Sequence, residues 1–476
     1  MTHWIAHLEG GPRRVNHAAV FIKSHIFSFG GYCTGGNFEV AKPIDIHALN
    51  ICIYATLTLF YYHTFVNELE RLKVPFHRYG HTAVNWRDRA YIFGGRNDRN
   101  GACNKLFCFD PETLRWSRVS TKGEVPGARD GHSASVLNDK MYLFGGYEDA
   151  LQRFSNDMYT FDFRLSQWSL LSTTGTPPIW RDFHTSSVIK NFILIFGGRS
   201  DEAGQFHTNS EVYCNKLVTF DTTTNVWTQP KVKGYVPYGR RSHTAFVYRD
   251  EMYIFGGYNS LQDVHFADMH KFNLESNWWV SVRVYGRGPG VRRRHCCCVV
   301  DDDAGGGDRR GGATGGSRVF LFGGTRPLPM SLQPFVLPTD ELLVDLSDLH
   351  VLQFKPSLKT LSMLVIIEKK LDTSCLPAML RFDVVVRVCV CLVCVCVRVC
   401  GLCVCVCLVC VCVCLVCVRA RVLCCACVVL DTNNNNNNNH IIYININIIN
   451  INNNNIKNNI INSNINNNNI INNNNN

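Results

Sequence analysis

The sequence predicts an all-β protein, a six-bladed β-propeller followed by a short helical segment and a low-complexity tail. Three regularities carry this. A diglycine recurs six times, at Gly30-Gly31, Gly94-Gly95, Gly145-Gly146, Gly197-Gly198, Gly256-Gly257 and Gly323-Gly324, each after a short apolar run such as YIFGG or FLFGG. An Arg-x-x-His precedes each one, its His thirteen residues before the first glycine in five units and 28 before it in the sixth. A tryptophan stands thirteen residues before the arginine in four places, Trp116, Trp168, Trp227 and Trp279.

A chain of 476 residues can hold two or three ordinary domains or one large repeat fold, and the internal period selects the second. One unit reads RxxH, strand a, strand b ending in the diglycine, strand c, strand d carrying Trp, then a GxxP turn. Four short alternating strands, repeated with turn residues between them, describe propeller blades rather than a sandwich. The diglycine permits positive φ or a close backbone approach where strand b ends. The propeller spans 1–355, with units near 14–66, 78–119, 129–171, 181–230, 240–282 and 292–354. Unit six has no Trp strand of its own, so the N-terminal strand 3–8, HWIAHL, is expected to supply its fourth strand and remove the open edges. Unit one departs from the pattern at 51–73, either as an irregular outer strand or as a mis-spliced piece. The sixth unit's long gap is accounted for by the Gly/Asp-rich stretch 301–316.

Beyond the units, 356–384 opens with Pro356 placed to start a helix, and Leu358, Ser362 and Val365 fall on one face of it at i, i+4 and i+7. Pattern alone leaves open a helix that caps the propeller. Fifteen of the 24 cysteines lie between Cys389 and Cys427, and the last 44 residues are almost wholly Asn and Ile. Val399 to Val418 is uncharged and would pass a hydropathy window for a membrane span. Strict Cys/Val alternation, however, is what a translated TGTG repeat produces, as an AAT repeat produces Asn runs. Residues 385–430 and 431–476 are therefore read as low-complexity, the Asn/Ile part disordered, with no membrane span expected.

Charge and cysteine usage bound the function. The tail takes +4 of the net +10, leaving +6 for the first 384 residues, too mild for a dedicated nucleic-acid surface. The remaining cysteines form no CxxC pairs, and MTHWIAHLEGG is not a secretory signal, so a reducing compartment is expected. Nothing supports catalysis: there is no P-loop, GxSxG or HExxH, and the six histidines stand one per unit rather than at metal spacing. Cys296, Cys297 and Cys298 read as packing. No cofactor and no metal are expected, which sets aside a propeller oxidase.

Antiparallel strands put the d-to-a turns, carrying RxxH, and the b-to-c turns, following the diglycine, on one face. Arginines and histidines present in every unit serve mainly the unit. Residues that break the pattern are the better candidates: Arg199 and Arg96 after a diglycine, Arg241 in GRRSH, Arg293 and Arg294 in VRRRH, and Trp180 and Asp182 in IWRDFH. The candidate set for gripping a ligand is Arg199, Arg241, Ser242, Arg240, Arg292, Trp180 and Arg96. Two guanidiniums converging near the mouth, Arg199 and Arg241 foremost, suit a carboxylate, because the planar fork donates two parallel hydrogen bonds.

The diglycine unit resembles the kelch repeat. With HLEGGPRRVNHAAV, VPGARDGHSA, RRRHCCC, PSLKTL and LDTSCLP, the chain from 4 to 382, apart from 51–73 and 301–316, is similar to the kelch-repeat receptors of C-terminal degrons. That resemblance implies a non-catalytic substrate receptor of a cullin-2 RING ubiquitin ligase that reads chain ends closing in glycine, working in the cytoplasm and also the nucleus. In those receptors an Arg after the fourth diglycine and a polar residue in the next d-to-a turn hold the carboxylate, positions that fall here on Arg199 and on Arg241 or Ser242. A second pocket Arg belongs to their b-to-c loop, where this sequence has Glu202 and no Arg. SLKTLSMLV resembles the BC-box that docks on elongin C of elongin B/C, through Leu358 and Ser362. LPAMLRFDV fits the box for cullin-2 and its RING subunit, through Leu376, Pro377 and Leu380. The rival expectation is a chromatin-associated kelch scaffold in meiotic recombination, meeting nucleic acid only through chromatin proteins.

Overall fold

A computed structural model describes residues 2–8, 11–33, 43–51, 59–62, 73–208, 210–301, 317–328, 343–369, 371, 423–429 and 441–449. They build an all-β, strand-rich fold with one helix. Alternating apolar residues place each unit's strands side by side in antiparallel order. The second sheet runs Tyr79–Trp86, Arg89–Asn97, Leu106–Asp110, Arg115–Arg118. The third is Ser133–Leu137, Lys140–Phe144, Met158–Asp162, Gln167–Leu170. The fourth is Thr185–Ile189, Phe192–Phe196, Val218–Asp221, Val226–Thr228, and the fifth is Thr244–Tyr248, Glu251–Phe255, Met269–Asn273, Trp278–Ser281. In the sixth, Cys296–Val300, Arg318–Phe322 and Leu349–Gln353 are followed by the N-terminal strand His3–Leu8, whose His7 lies opposite His350. No strand ladder continues from one of these sheets into the next.

The tryptophan spacing has a packing explanation. The Phe ahead of one diglycine meets the Trp of the following sheet: Phe93 and Trp168 at 4.9 Å between ring centroids, Phe144 and Trp227 at 5.2 Å, Phe196 and Trp279 at 5.1 Å. Trp4 takes the same place against Phe255 at 6.1 Å, so the N-terminal strand brings its own tryptophan to the sixth sheet. Truncating one such buried indole to alanine removes about 3 to 5 kcal/mol. The outer edges are covered as well. Lys122–Gly123 pairs in parallel with Gln167 and Trp168, Thr174–Gly175 with Val226 and Trp227, and Lys233–Gly234 with Trp278 and Trp279. Each protects an edge strand from foreign pairing.

The first sheet differs from expectation. Ala18–Ile22, His25–Phe29 and Ile46–Asn50 are joined by Leu59–Tyr62, so a fourth strand exists where the sequence shows no Trp. Ile441–Ile449 extends this sheet, Ile441 opposite Tyr62 and Ile442 opposite Tyr61, and pairs in turn with Leu423–Val429. Both stretches lie within the tail, whose low-complexity composition is unchanged by this pairing; strand structure at 441–449 stands where disorder was expected. The IIYININII alternation has the period of a strand, which compositional bias masks. The rest of the tail, 302–316 and most of 51–73 lie outside the described residues.

The helix Leu358–Lys369 starts where Pro356 points. The Thr360 amide donates to the Ser357 hydroxyl at 3.1 Å, an N-cap. Met363 is buried, while Leu358, Ser362 and Val365 are exposed on a common face. Leu376, Pro377 and Leu380 lie outside the described residues. Among the described residues no helix is long and apolar enough to cross a membrane.

One feature runs through all six sheets. The second x residue of each RxxH donates its amide to the same residue of the neighbouring unit. The amides of Gly80, Gly131, Phe183, Ser242, Arg294 and Asn16 bond to the carbonyls of Asn16, Gly80, Gly131, Phe183, Ser242 and Arg294, at 2.7 to 3.1 Å. The six peptide groups form an unbroken circle around an axial cavity of about 120 Å³.

Candidate functional site: a charge-divided mouth

The arginine of RxxH in units two to six is an internal brace, while Arg14 of the first pairs with Asp45. Arg129 donates to the Gly127 and Gly145 carbonyls at 3.0 Å each, and Arg181 to those of Ile179 and Gly197 at 3.0 and 2.7 Å. Arg240 and Arg292, included among the ligand-gripping candidates, belong to this class. Arg240 bonds to the Gly256 carbonyl and, through two nitrogens, to Asp268; Arg292 does the same with Gly323 and Asp348. Both are buried with their donors committed to the fold, so they are removed from the candidate set.

The histidine completes a lock between units. A Cβ on Gly94 would stand 2.3 Å from His132 Cε1, and the same clash recurs between Gly197 and His243 at 2.5 Å and between Gly323 and His17 at 2.8 Å. The diglycine is therefore required by the next unit's imidazole as well as by φ. His132, His184, His243 and His295 each meet a hydroxyl on the preceding unit, Thr82, Ser133, Thr185 and Thr244, at 2.8 to 3.0 Å. Ala18 stands where His81 would find one, and both of its ring nitrogens are buried without a partner. Burial foremost, with the adjacent arginine, lowers His17, His132 and His243 to about 3.

The first x residue of RxxH bridges the residue after the diglycine: Asp182 with Arg199, Arg241 with Tyr258, Arg293 with Thr325, Val15 with Tyr32. Both kinds of turn therefore meet on one face, beside the cavity lined by the second x residue and the histidine of each RxxH.

Charge divides this mouth. Arg199 and Arg241 converge, but on acids of the chain itself. Arg199 lies 2.5 Å from Asp182 and 3.3 Å from Glu211, and Arg241 lies 3.5 Å from Glu211. Arg199, expected to offer its fork to a ligand's carboxylate, is instead already paired with two carboxylates of the chain. Glu211 is held by the Tyr213 and Ser260 hydroxyls, each at 2.5 Å. Burial acts to raise its pKa, but those hydroxyls, then Arg241 and Arg199, outweigh it and bring it to about 2. Asp130 lies on the acidic side, where burial and then Asp182 push it up to about 7. Arg96 is three sheets from Arg241 and 4.0 Å from Asp149. Trp180 is half-buried, its indole nitrogen without a partner.

The basic half is Arg241, Arg293 and Arg294. None of the described carboxylates pairs with Arg293 or Arg294. Arg293 stacks on the Tyr258 ring at 4.2 Å, and Arg294 donates to the Tyr32 hydroxyl at 2.5 Å. Burial, then Arg294 and Arg241, lower Arg293 to about 10. Ser242 lies beside them on the cavity wall. Asp182 and Arg294 broke the sequence pattern visibly. Glu211 and Tyr213 did not, because they belong to the fourth unit's b-to-c loop, which is longer than those of other units, and Ser260 meets them only across the boundary between units.

One group of described residues could present three metal ligands, His7, Asp348 and His350. Its chemistry is that of a brace. Asp348 already accepts two bonds from Arg292 and one from His350 at 3.0 Å, and His7 and His350 stack with near-parallel rings at 4.4 Å. The fifth sheet repeats the unit with Arg240, Asp268 and His270, with Tyr235 stacked at 5.6 Å in the place of His7.

Comparison with known proteins agrees with this architecture. The family model described as the KLHDC2/KLHL20/DRC7 Kelch-repeats domain matches residues 80–305. Kelch domain-containing protein 3 of Rattus norvegicus is 45% identical over 383 residues, 80% of this chain and 95% of the relative. Its Homo sapiens counterpart is 44% identical over the same shares. Kelch domain-containing protein 2 of Bos taurus is more distant, 27% identical over 248 residues, 47% of this chain and 60% of the relative. Kelch-repeat proteins are in general interaction modules rather than enzymes, and no catalytic family is indicated.

Proposed function

The chain belongs to the family of Kelch domain-containing protein 3, a kelch protein-interaction scaffold, and from that premise we propose that it is the substrate-recognition subunit of a cullin-2 RING ubiquitin ligase, binding C-terminal degrons that end in glycine. The six sheets are then six blades of one propeller, shut by His3–Leu8, and the mouth on the RxxH face receives the chain end. The observation that carries the reading is the basic half of the mouth, where Arg294 and Ser242 line a cavity of about 120 Å³ and Arg241 and Arg293 stand next to them in the chain. Desolvated guanidiniums bind a terminal carboxylate strongly, and an internal glycine offers them no charge. So small a cavity favours a last residue without a side chain.

Recruitment falls to the helix, whose Leu358, Ser362 and Val365 face outward while Met363 anchors it. This face is assigned to elongin B/C, and Leu376, Pro377 and Leu380 to cullin-2. Two experiments test the proposal. A glycine-ending peptide should bind the purified protein, and its C-terminal amide should bind at least about tenfold more weakly, the equivalent of one guanidinium–carboxylate interaction. Leu358→Asp should abolish co-precipitation of elongin C without altering peptide binding; undiminished recovery defeats the docking assignment.

A further inference from the structure

The segments that cover the outer strands obey a stereochemical rule. In units three to six a glycine stands six residues before the arginine of RxxH: Gly123, Gly175, Gly234 and Gly286. Each has a φ of 81° to 83°, and a Cβ on it would lie 2.1 to 2.6 Å from the carbonyl oxygen of the tryptophan in its own sheet, Trp168, Trp227, Trp279 or Trp4. Only glycine can press so close at that φ. The amides around it then bond to the outer strand. Lys122 and Glu124 donate to the Ser166 and Trp168 carbonyls at 3.0 and 3.1 Å, and Lys233 and Tyr235 to those of Asn277 and Trp279 at 2.8 and 3.1 Å.

The second unit breaks the rule. Leu72 occupies the glycine's position, and a side chain there could not share space with the Trp116 carbonyl. Among the described residues no strand pairs with the outer edge of Arg115–Arg118, whereas Ile441–Ile449 lies on the equivalent edge of the first sheet. By position, the Leu114 and Trp116 carbonyls match those of Ser166 and Trp168, and the Arg118 amide matches that of Leu170. An open edge of this kind is a template for an extended chain.

Its charge says which chain. Residues 115–122, RWSRVSTK, hold three basic residues and no acid, and Arg115 and Arg118, both exposed, fall on opposite faces of the strand. The flanking acids are engaged elsewhere: Asp110 with Arg89 at 3.2 Å, Glu112 with Lys23, and Glu124 with the Leu170 amide at 3.1 Å. That last contact is a precedent. The acid after the third sheet's glycine takes up an outward amide of the strand, and the Arg118 amide offers an incoming acid the same bond.

We infer that the outer edge of Arg115–Arg118 is a docking strand for an acidic, extended segment of another protein, laid along it with a Gly-Glu or Gly-Asp step against Trp116. The edge lies across the sheet from Tyr79–Trp86, the strand that reaches the axial cavity, and the inference is independent of the chain-end reading.

The test uses the full-length protein and two fluorescent peptides, EDGEV and KKGKV, each blocked at both ends so that neither offers a terminal carboxylate. The acidic peptide should bind at least about tenfold more tightly than the basic one. The double variant Arg115→Glu, Arg118→Glu should invert that preference with its melting temperature unchanged, since both side chains are exposed. In hydrogen exchange the Arg118 amide should be labile in the protein alone and slow by at least about tenfold when EDGEV is bound. Equal binding of the two peptides, or a preference that survives the double variant, overturns the inference. So does an Arg118 amide already protected in the protein alone, which would mean that the chain's own segment or a second copy lies on the edge.

Discussion

Glu211 reaches Arg241 across the boundary between two neighbouring sheets, 3.5 Å from its guanidinium and 3.3 Å from that of Arg199. A fixed carboxylate at a mouth proposed to accept another would lower the attraction for the newcomer. With its pKa near 2, Glu211 keeps its charge throughout the physiological range. Replacing it with glutamine preserves the shape and hydroxyl contacts while removing the charge. Glu211→Gln should therefore strengthen binding of a free-acid peptide by roughly threefold or more and leave the amide unchanged, as read by titration. Weaker binding of the acid would mean that Glu211 chiefly holds Arg241 in place.

The buried histidines make the fold sensitive to acid. Their folded pKa values lie below the ordinary 6.5, about 3 for His17, His132 and His243, so between those limits the unfolded chain binds protons that the folded chain refuses. Their stability contribution is complete above pH 6.5 and declines as pH falls toward 3. Asp130, raised to about 7, opposes this, but at a single site. Melting temperature should drop steeply from roughly pH 7 to pH 5, and His132→Gln, which cannot take up a proton, should make the drop shallower.

Gly94→Ala isolates the diglycine's role. The new methyl would lie 2.3 Å from His132 on the next unit, at a φ of 70° that alanine resists. Destabilisation on the order of 3 kcal/mol or more is expected from chemical denaturation. Coupling to His132 should show in a double-mutant cycle with His132→Ala, the second change absorbing part of the first.

The missing hydroxyl can be supplied. His81 is buried with both nitrogens unpartnered, and Ala18 occupies the position held by Thr82, Ser133, Thr185 and Thr244 in other units. Ala18→Ser should stabilise the protein by about 1 kcal/mol, measured by denaturant unfolding. In the His81→Phe background the gain should vanish.

What was legible in the sequence was whatever the fold needs six times over. The diglycine, the RxxH and the tryptophan each answer a contact that one unit makes with the next, such as Phe93 on Trp168, and repetition exposed them. Trp4 could be matched to the sixth unit because that unit lacked its own tryptophan. The pairing of Arg199 could not be read. Asp182 and Glu211 approach it from a different turn and from the far arm of a loop, and neither spacing repeats. Nor could Arg240 be separated from Arg241, adjacent residues of which one faces inward to Asp268 and the other outward to the rim.

A circle of amides handed from Asn16 round to Arg294 and back has no terminus from which to fray. Loosening any one link lengthens a hoop that all the others share, so those six protons should exchange with solvent together, at one rate limited by collapse of the whole hoop. A side chain seated on such a hoop is held still without a helix or a disulfide beneath it. The hoop thus makes a stationary anvil beneath the spot where the proposed ligand would arrive end-on.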